Sequence, residues 1–295
     1  MGDAVYRDYD SDALYAQYNN RAMTPADVLA DIKAKEAVRA DSFRAAATRA
    51  QFDIAYGPHP RERLDLFMPP ESKSENPPLF VYIHGGYWQW NDKTPFCFLA
   101  EQLVPAGAAF ANIEYALCPN VSLTELTDQI RRAVAYLWRE AARLGYDRDR
   151  IVVSGHSAGG HLTAMMMATD WPSFGNDLPA QIVSAGLPLS GIYDLEAVRL
   201  TPLNDAVGMD VAEARALSPV FMTPSSPAPM IVVYGGDESD EFHRQAKDLA
   251  DAWRTPDCAA DVLCAPGRDH FTVLNALTEP DHDVLKAAYR LLGIS

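Results

Sequence analysis

The residues in this chain best placed to do chemistry are Gly155-His156-Ser157-Ala158-Gly159. They spell G-x-S-x-G, a spacing that presses a serine into a tight turn between a buried strand and a helix. The β-branched run Ile151-Val152-Val153 and Ser154 comes before it, and Leu162, Ala164 and Met165–Met167 follow in a stretch of good helix formers. A serine so placed stands above the sheet, beside the unpaired N–H groups of a helix N-terminus. Glycines at 155 and 159 let the chain pass close to itself without a Cβ in the way. The implied chemistry is serine attack on a carbonyl carbon. That reaction needs a base, a group to orient the base, and donors for the developing oxyanion.

A second motif offers the donors. His84-Gly85-Gly86-Tyr87-Trp88 follows directly on the apolar strand Leu79–Ile83, and its glycines let backbone amides approach the reacting oxygen. The amides of Gly85, Gly86 and Ala158 are the expected oxyanion hole, with His84 bracing the loop. The expected order in the chain is serine, acid, histidine. Among the seven histidines, His270 follows strand Val262–Ala265 across the loop Pro266-Gly267-Arg268-Asp269, which makes it the expected base. His156 and His161 are five apart and lack a third ligand for a zinc site. His243 falls on a helix and His282 in a polar turn. The acid belongs in the turn after Met230–Tyr234, where Asp237, Glu238, Asp240 and Glu241 crowd together. Composition does not choose among them. In related folds the acid commonly lies three residues beyond the first turn glycine, which selects Glu238, with Asp237 as the rival, and the others are left to cap the next helix. Tyr87, Trp88 and Trp90 are candidates to line an aromatic pocket, with Tyr193 and Phe271 as further candidates; each is equally readable as core.

These residues must be carried by a scaffold, and the pattern from Leu79 onward supplies one. Strands at 79–83, 109–113, 151–154, 182–189, 230–234 and 262–265 alternate with helices at 96–104, 126–144, 160–169, 242–253 and 284–292. Such alternation predicts an α/β fold with a mostly parallel sheet of about eight strands, covered on both faces. Two earlier strand signals, 52–56 and 64–68, are separated by Gly57-Pro58 and predict antiparallel strands at one edge. Residues 69–78 read as a polar, proline-rich loop. Residues 191–229 carry Pro202, Pro219, Pro224, Pro227 and Pro229 and read as an excursion that contributes to a cap. Residues 1–49 read as a helical arm, started by Thr24-Pro25 and carrying Val28, Leu29, Ile32, Ala37 and Val38 at helical spacing. The organisation expected is an arm or cap element at 1–49 and a catalytic domain at 50–295.

The chain has 295 residues, 48% hydrophobic and 22% charged, enough apolar material for a large single core. A formal net charge of −15 argues against nucleic acid or an anionic membrane as partner. The partner expected is a small-molecule substrate, and a homodimer is compatible with the sequence. No apolar leader region or membrane-spanning run is visible. Cys97, Cys118, Cys258 and Cys264 show no C-x-x-C spacing and read as free thiols in a cytoplasmic protein without a cofactor.

Taken together, HGGYW, GHSAGG, Leu189–Leu195, the run from Gly235 to Gln245 and Gly267–Phe271 resemble the kynurenine formamidases (arylformamidases) of the α/β-hydrolase type. Tyr15-Ala16-Gln17-Tyr18-Asn19-Asn20-Arg21 is similar to a segment of the bacterial members. Animal members carry Asp where this chain has Glu238, which keeps a carboxylate in place. The resemblance implies the α/β-hydrolase fold and metal-independent cleavage of N-formyl-kynurenine to kynurenine and formate. The alternatives are a carboxylesterase of short-acyl or aryl esters and a non-catalytic, hydrolase-like binding protein.

Overall fold

The computed structural model describes residues 3–294 apart from residues 72 and 74, which fall in the expected 69–78 loop and lie outside the described residues, as does residue 295. Its centre is one sheet of eight strands. They are β1 (Ala50–Ala55), β2 (Arg63–Phe67), β3 (Leu79–Ile83), β4 (Ala109–Ile113), β5 (Ile151–His156), β6 (Ala185–Leu189), β7 (Met230–Gly235) and β8 (Ala260–Ala265). Their order across the sheet is β1-β2-β4-β3-β5-β6-β7-β8. β1 pairs antiparallel with β2, and β2 antiparallel with β4. Every other pairing is parallel.

The α-helices among the described residues are α1 (Ser11–Tyr18), α2 (Asn20–Met23), α3 (Ala26–Ala46), α4 (Ala100–Ala106), α5 (Leu123–Leu144), α6 (Ala158–Ala168), α7 (Trp171–Phe174), α8 (Glu196–Arg199), α9 (Asn204–Val207), α10 (Val211–Ala216), α11 (Asp240–Trp253) and α12 (Asp283–Leu292). Strand side chains alternate between two apolar layers, as the period of two requires. Leu79, Val81 and Ile83 of β3 join a layer with Leu126, Ile130, Val134 and Leu137 of α5. Phe80 and Tyr82 point the other way and pack with Phe98, Leu103 and Leu285. β5 divides likewise, with Ile151 and Val153 on the first face and Val152 on the second. Helix α5 is set by its ends: Ser122 caps the Glu125 amide at 3.1 Å, and Gly145 leaves the helix in the left-handed region with φ 91°.

Several expected boundaries move by one to three residues; helix α5, for example, begins at Leu123 rather than 126. β6 begins at Ala185 rather than 182, and the 96–104 helix starts with a tight 3₁₀ stretch, Thr94–Leu99. In the 191–229 excursion, Leu203 reaches the cavity described below, and the lining contributed by α1–α3 is far larger. No helix among the described residues is long and apolar enough to cross a membrane. The parallel strands β3, β5, β7 and β8 all run the same way. The loops leaving their C-terminal ends therefore open at one edge, where ligands of such sheets bind.

Candidate active site

Ser157 sits between β5 and α6 with φ 57° and ψ −116°, a conformation sparsely used by residues with a Cβ. The surroundings hold it there. Its amide donates to Leu189 O at 2.9 Å, and its carbonyl accepts from the His161 amide at 3.0 Å. A Cβ on Gly159 would run into the Ile83 carbonyl, and one on Gly155 into the Gly159 carbonyl. The backbone can thus make this turn only with glycine at both positions. Ser157 Oγ forms no hydrogen bond among the described residues and lines a cavity together with His270.

His270 lies on the loop after β8, and its Nδ1 is 2.5 Å from Glu238 Oε1. The other carboxylate oxygen, Oε2, accepts from the Gly235 amide at 2.6 Å and from Ser190 Oγ at 2.7 Å. Glu238 is buried and Asp237 is exposed. Asp240 and Glu241 open helix α11, where Glu241 is bound by Arg244 and by the Tyr18 hydroxyl at 2.8 Å. The structure therefore brings one of the four crowded carboxylates to the imidazole. Asp269 orders the loop by accepting from the amides of Phe271 and Thr272 at 3.0 and 2.8 Å. The rings of Phe242 and His156 each lie 4.6 Å from the His270 ring, centroid to centroid. Burial, reinforced by the neighbouring His270 imidazole, holds His156 well below the usual imidazole range, so it stays neutral.

The loop after β3 turns through three positive φ angles, Gly86 at 122°, Tyr87 at 47° and Trp88 at 58°. A Cβ on Gly85 would sit 2.6 Å from the His156 carbonyl and 3.1 Å from Ser157 Cβ, so the chain passes here only as glycine. The Gly85 carbonyl accepts from Asn91 Nδ2 at 3.0 Å and lies 2.9 Å from His84 Nδ1. In a trans peptide the N–H points opposite the carbonyl, so these two side chains turn the Gly86 amide away from themselves. The amides of Gly85, Gly86 and Ala158 donate to no acceptor among the described residues. His84 is fully buried, stacked on Tyr115 at 4.2 Å and 3.3 Å from Glu114 Oε1, well placed to brace the loop.

The cavity over Ser157 has a volume of about 490 Å³. Tyr87, Trp90 and Phe271 line it, joined by Phe96. Trp88 and Tyr193, two of the expected pocket residues, do not. Trp88 is fully buried with its ring edge-on to His161 at 5.2 Å, and Tyr193 is fully buried against Gly191. Both lie within motifs of the sequence, but each side chain turns into the core. The sequence reading missed Ser190 and Asn91, which hold Glu238 and the loop after β3, and also Glu36 and Lys33 of α3, which line the cavity. Asn91 sits in the same short loop as the glycines it supports. Ser190 follows β6 directly, and its place in the expected Leu189–Leu195 motif was the available signal. Among the described residues no group of three or more His, Cys, Asp or Glu is placed to hold a metal. His161 is buried, bonded to the Leu217 carbonyl at 2.8 Å, and burial lowers it to about 4. The four cysteines are free thiols.

A mostly parallel sheet with a serine elbow after its fifth strand and a histidine after its last defines the α/β-hydrolases. The chain matches the BD-FAE family over residues 64–252 and belongs to it. It is a hydrolase of the α/β-hydrolase type, as its relatives are. Kynurenine formamidase from Danio rerio is 28% identical over 298 residues, spanning 98% of this chain and 99% of the relative. A crystal structure of a protein from Silicibacter sp. TM1040, proposed as a thioesterase, is 34% identical with a TM-score of 0.79, covering 92% of this chain and 97% of that one. Esterase B from Lactobacillus rhamnosis shares the fold at a TM-score of 0.69 and 19% identity, over 94% of this chain and 97% of that one.

Proposed function

We propose that this hydrolase cleaves aryl formamides, converting N-formyl-kynurenine to kynurenine and formate through an acyl-enzyme. The carrying observation is the His270–Glu238 contact at 2.5 Å beside Ser157, under a cavity walled by Tyr87, Trp90, Phe96 and Phe271. The near full-length likeness to Danio rerio kynurenine formamidase supports the choice of an aryl formamide. In this reading Glu238 keeps the proton of neutral His270 on Nδ1, leaving Nε2 to accept the proton of Ser157 as Oγ attacks the formyl carbon. The oxyanion forms against the amides of Gly85, Gly86 and Ala158. His270 Nε2–H then protonates the leaving aryl nitrogen as the C–N bond breaks. Water, deprotonated by His270, attacks the formyl-serine, and Oγ leaves with that proton as formate departs. The same reading places the enzyme in the cytoplasm, which the four free thiols support.

A second reading, hydrolysis of short-acyl or aryl esters, is favoured by the likeness to the protein proposed as a thioesterase. The same residues serve both, since the two leaving groups differ only in the atom protonated. Comparing kcat/KM for N-formyl-kynurenine with that for 4-nitrophenyl acetate and longer aryl esters decides between them. The formamidase reading expects N-formyl-kynurenine to equal or exceed the best ester. A value orders of magnitude below the best ester overturns it. Failure of a fluorophosphonate to label Ser157 would overturn both.

A further inference from the structure

The cavity over Ser157 carries charged side chains only where the N-terminal helices close it. The rest of its wall is aromatic, aliphatic and amide, with the imidazoles of His156 and His270, whereas Arg21, Lys33 and Glu36 all come from α2 and α3. Glu36 is the unusual one. Its Oε1 is buried and has no hydrogen-bond partner among the described residues. Arg39, one turn further along α3, is held by Glu101 and by Asn275 at 3.2 Å. Burial pushes Glu36 up to about 7 against the pull of Arg39 and Lys33. The Arg21 guanidinium lies over the Trp90 ring at 4.4 Å, on the rim of the same cavity.

We propose that α2 and α3 form a subsite for the α-amino-acid head group of the substrate, with Glu36 receiving the ammonium and Lys33 and Arg21 the carboxylate. This inference rests on the aryl-formamide reading above and adds to it the part of the substrate that confers selectivity. A buried carboxylate without a partner is costly, and a ligand cation removes that cost. A ligand of one charge would satisfy only the carboxylate or only the two cations, whereas a zwitterion meets both. The bland account is that Glu36 serves the Tyr82 hydroxyl, which is also buried without a partner and feels the Glu36 charge. A residue with that role alone would not distinguish ligands with and without a head group.

The test compares two competitive inhibitors of 4-nitrophenyl acetate hydrolysis, L-kynurenine and 2-aminoacetophenone, which share the ring and ketone and differ by the head group. The wild type is expected to bind L-kynurenine at least about tenfold more tightly. Glu36→Gln is expected to reduce that preference by about tenfold, the size of one charge-assisted hydrogen bond. Lys33→Met and Arg21→Met should reduce it too, and Arg21 is exposed, so its replacement keeps the test available if the Glu36 variant fails to fold. Asp31→Asn, on the exposed side of α3 and paired with Lys35, should leave both the preference and the ester rate unchanged. Equal inhibition constants in the wild type, or an unchanged preference in the folded variants, would overturn the subsite. Hydrolysis of N-formyl-kynurenine is measured separately. Its absence with the preference intact removes the formamidase reading and keeps the subsite; its presence with no preference does the reverse.

Discussion

Replacing Glu238 by glutamine separates what its two oxygens do. Oε2 accepts from the Gly235 amide at 2.6 Å and Ser190 Oγ at 2.7 Å, while Oε1 faces His270 Nδ1 at 2.5 Å. A glutamine must put its NH₂ at one of these ends. At the Oε2 end it would meet the Gly235 N–H, a donor that cannot turn away. The NH₂ group therefore points to His270 and donates to Nδ1, which moves the ring proton to Nε2. In that tautomer Nε2 cannot accept from Ser157. Orienting-acid amide variants of this kind lose about 10⁴-fold in kcat, or about 5.4 kcal/mol of barrier. The side chain keeps its volume, so the fold should hold and melting should stay close to that of the wild type. The assay is kcat on both N-formyl-kynurenine and 4-nitrophenyl acetate, with the rate of fluorophosphonate labelling falling alongside. Asp237→Asn, at an exposed carboxylate, should stay within about threefold of wild type. Glu238→Gln activity within tenfold of wild type, or a larger loss in Asp237→Asn, would refute the reasoning. Ser190→Ala removes one of the two donors to Oε2 and should fall between, losing about tenfold in kcat with KM little changed.

Three further outcomes follow from packing and charge. Gly159→Ala drives a Cβ into the Ile83 carbonyl, between two rigid elements, and should cost about 3 kcal/mol or more in urea unfolding. Asp65→Asn leaves buried Lys93, at 3.2 Å, and Arg44 without their shared carboxylate and should cost about 3 kcal/mol; a loss below about 1 kcal/mol would show the network to be dispensable. Glu36, raised from 4.5 to about 7 by burial, holds its proton more tightly folded than unfolded, so the wild type loses stability as pH rises through that interval. Glu36→Gln should therefore be more stable than wild type by about 1–2 kcal/mol at pH 8, after discounting for partial exposure, and that advantage should vanish below about pH 4.5.

The residues that were legible in the sequence are those whose backbone conformation leaves few choices. An elbow at φ 57° requires glycines at 155 and 159, and the loop over it requires Gly85, so these motifs announce their own geometry. The parallel strands were legible because burial on both faces makes them continuous apolar runs. Side-chain direction was not encoded in the same way. Tyr87, Trp88 and Trp90 are near neighbours on one loop, yet only the first and third face the cavity, because Trp88 fills a core site against His161. Helix α3 gave less: over its 21 residues only Ala40 is fully covered, and of the five apolar residues at helical spacing Leu29, Ile32 and Ala37 line the cavity whereas Val28 and Val38 are exposed, so the apolar spacing marked the face that meets the site only weakly.

That weak apolar signal has a physical counterpart in how the N-terminal helices are attached. Polar bonds fasten them near the site. Tyr18 donates to Glu241 at 2.8 Å and accepts from Gln245 at 2.8 Å, while its carbonyl accepts from the Tyr87 hydroxyl at 2.5 Å. Ser239, next to the acid, donates to the Gln17 carbonyl at 2.7 Å. The end of α1 is thus pinned to the Glu238 turn and to the loop bearing the free amides, and Arg39 of α3 to Glu101 and Asn275, at points set by directional hydrogen bonds. Such bonds fix position while placing few demands on the cavity-facing residues between them. Positions 21, 33 and 36 can then change charge without disturbing Ser157, Glu238 or His270, whereas a Cβ at Gly155 or Gly159 runs into backbone.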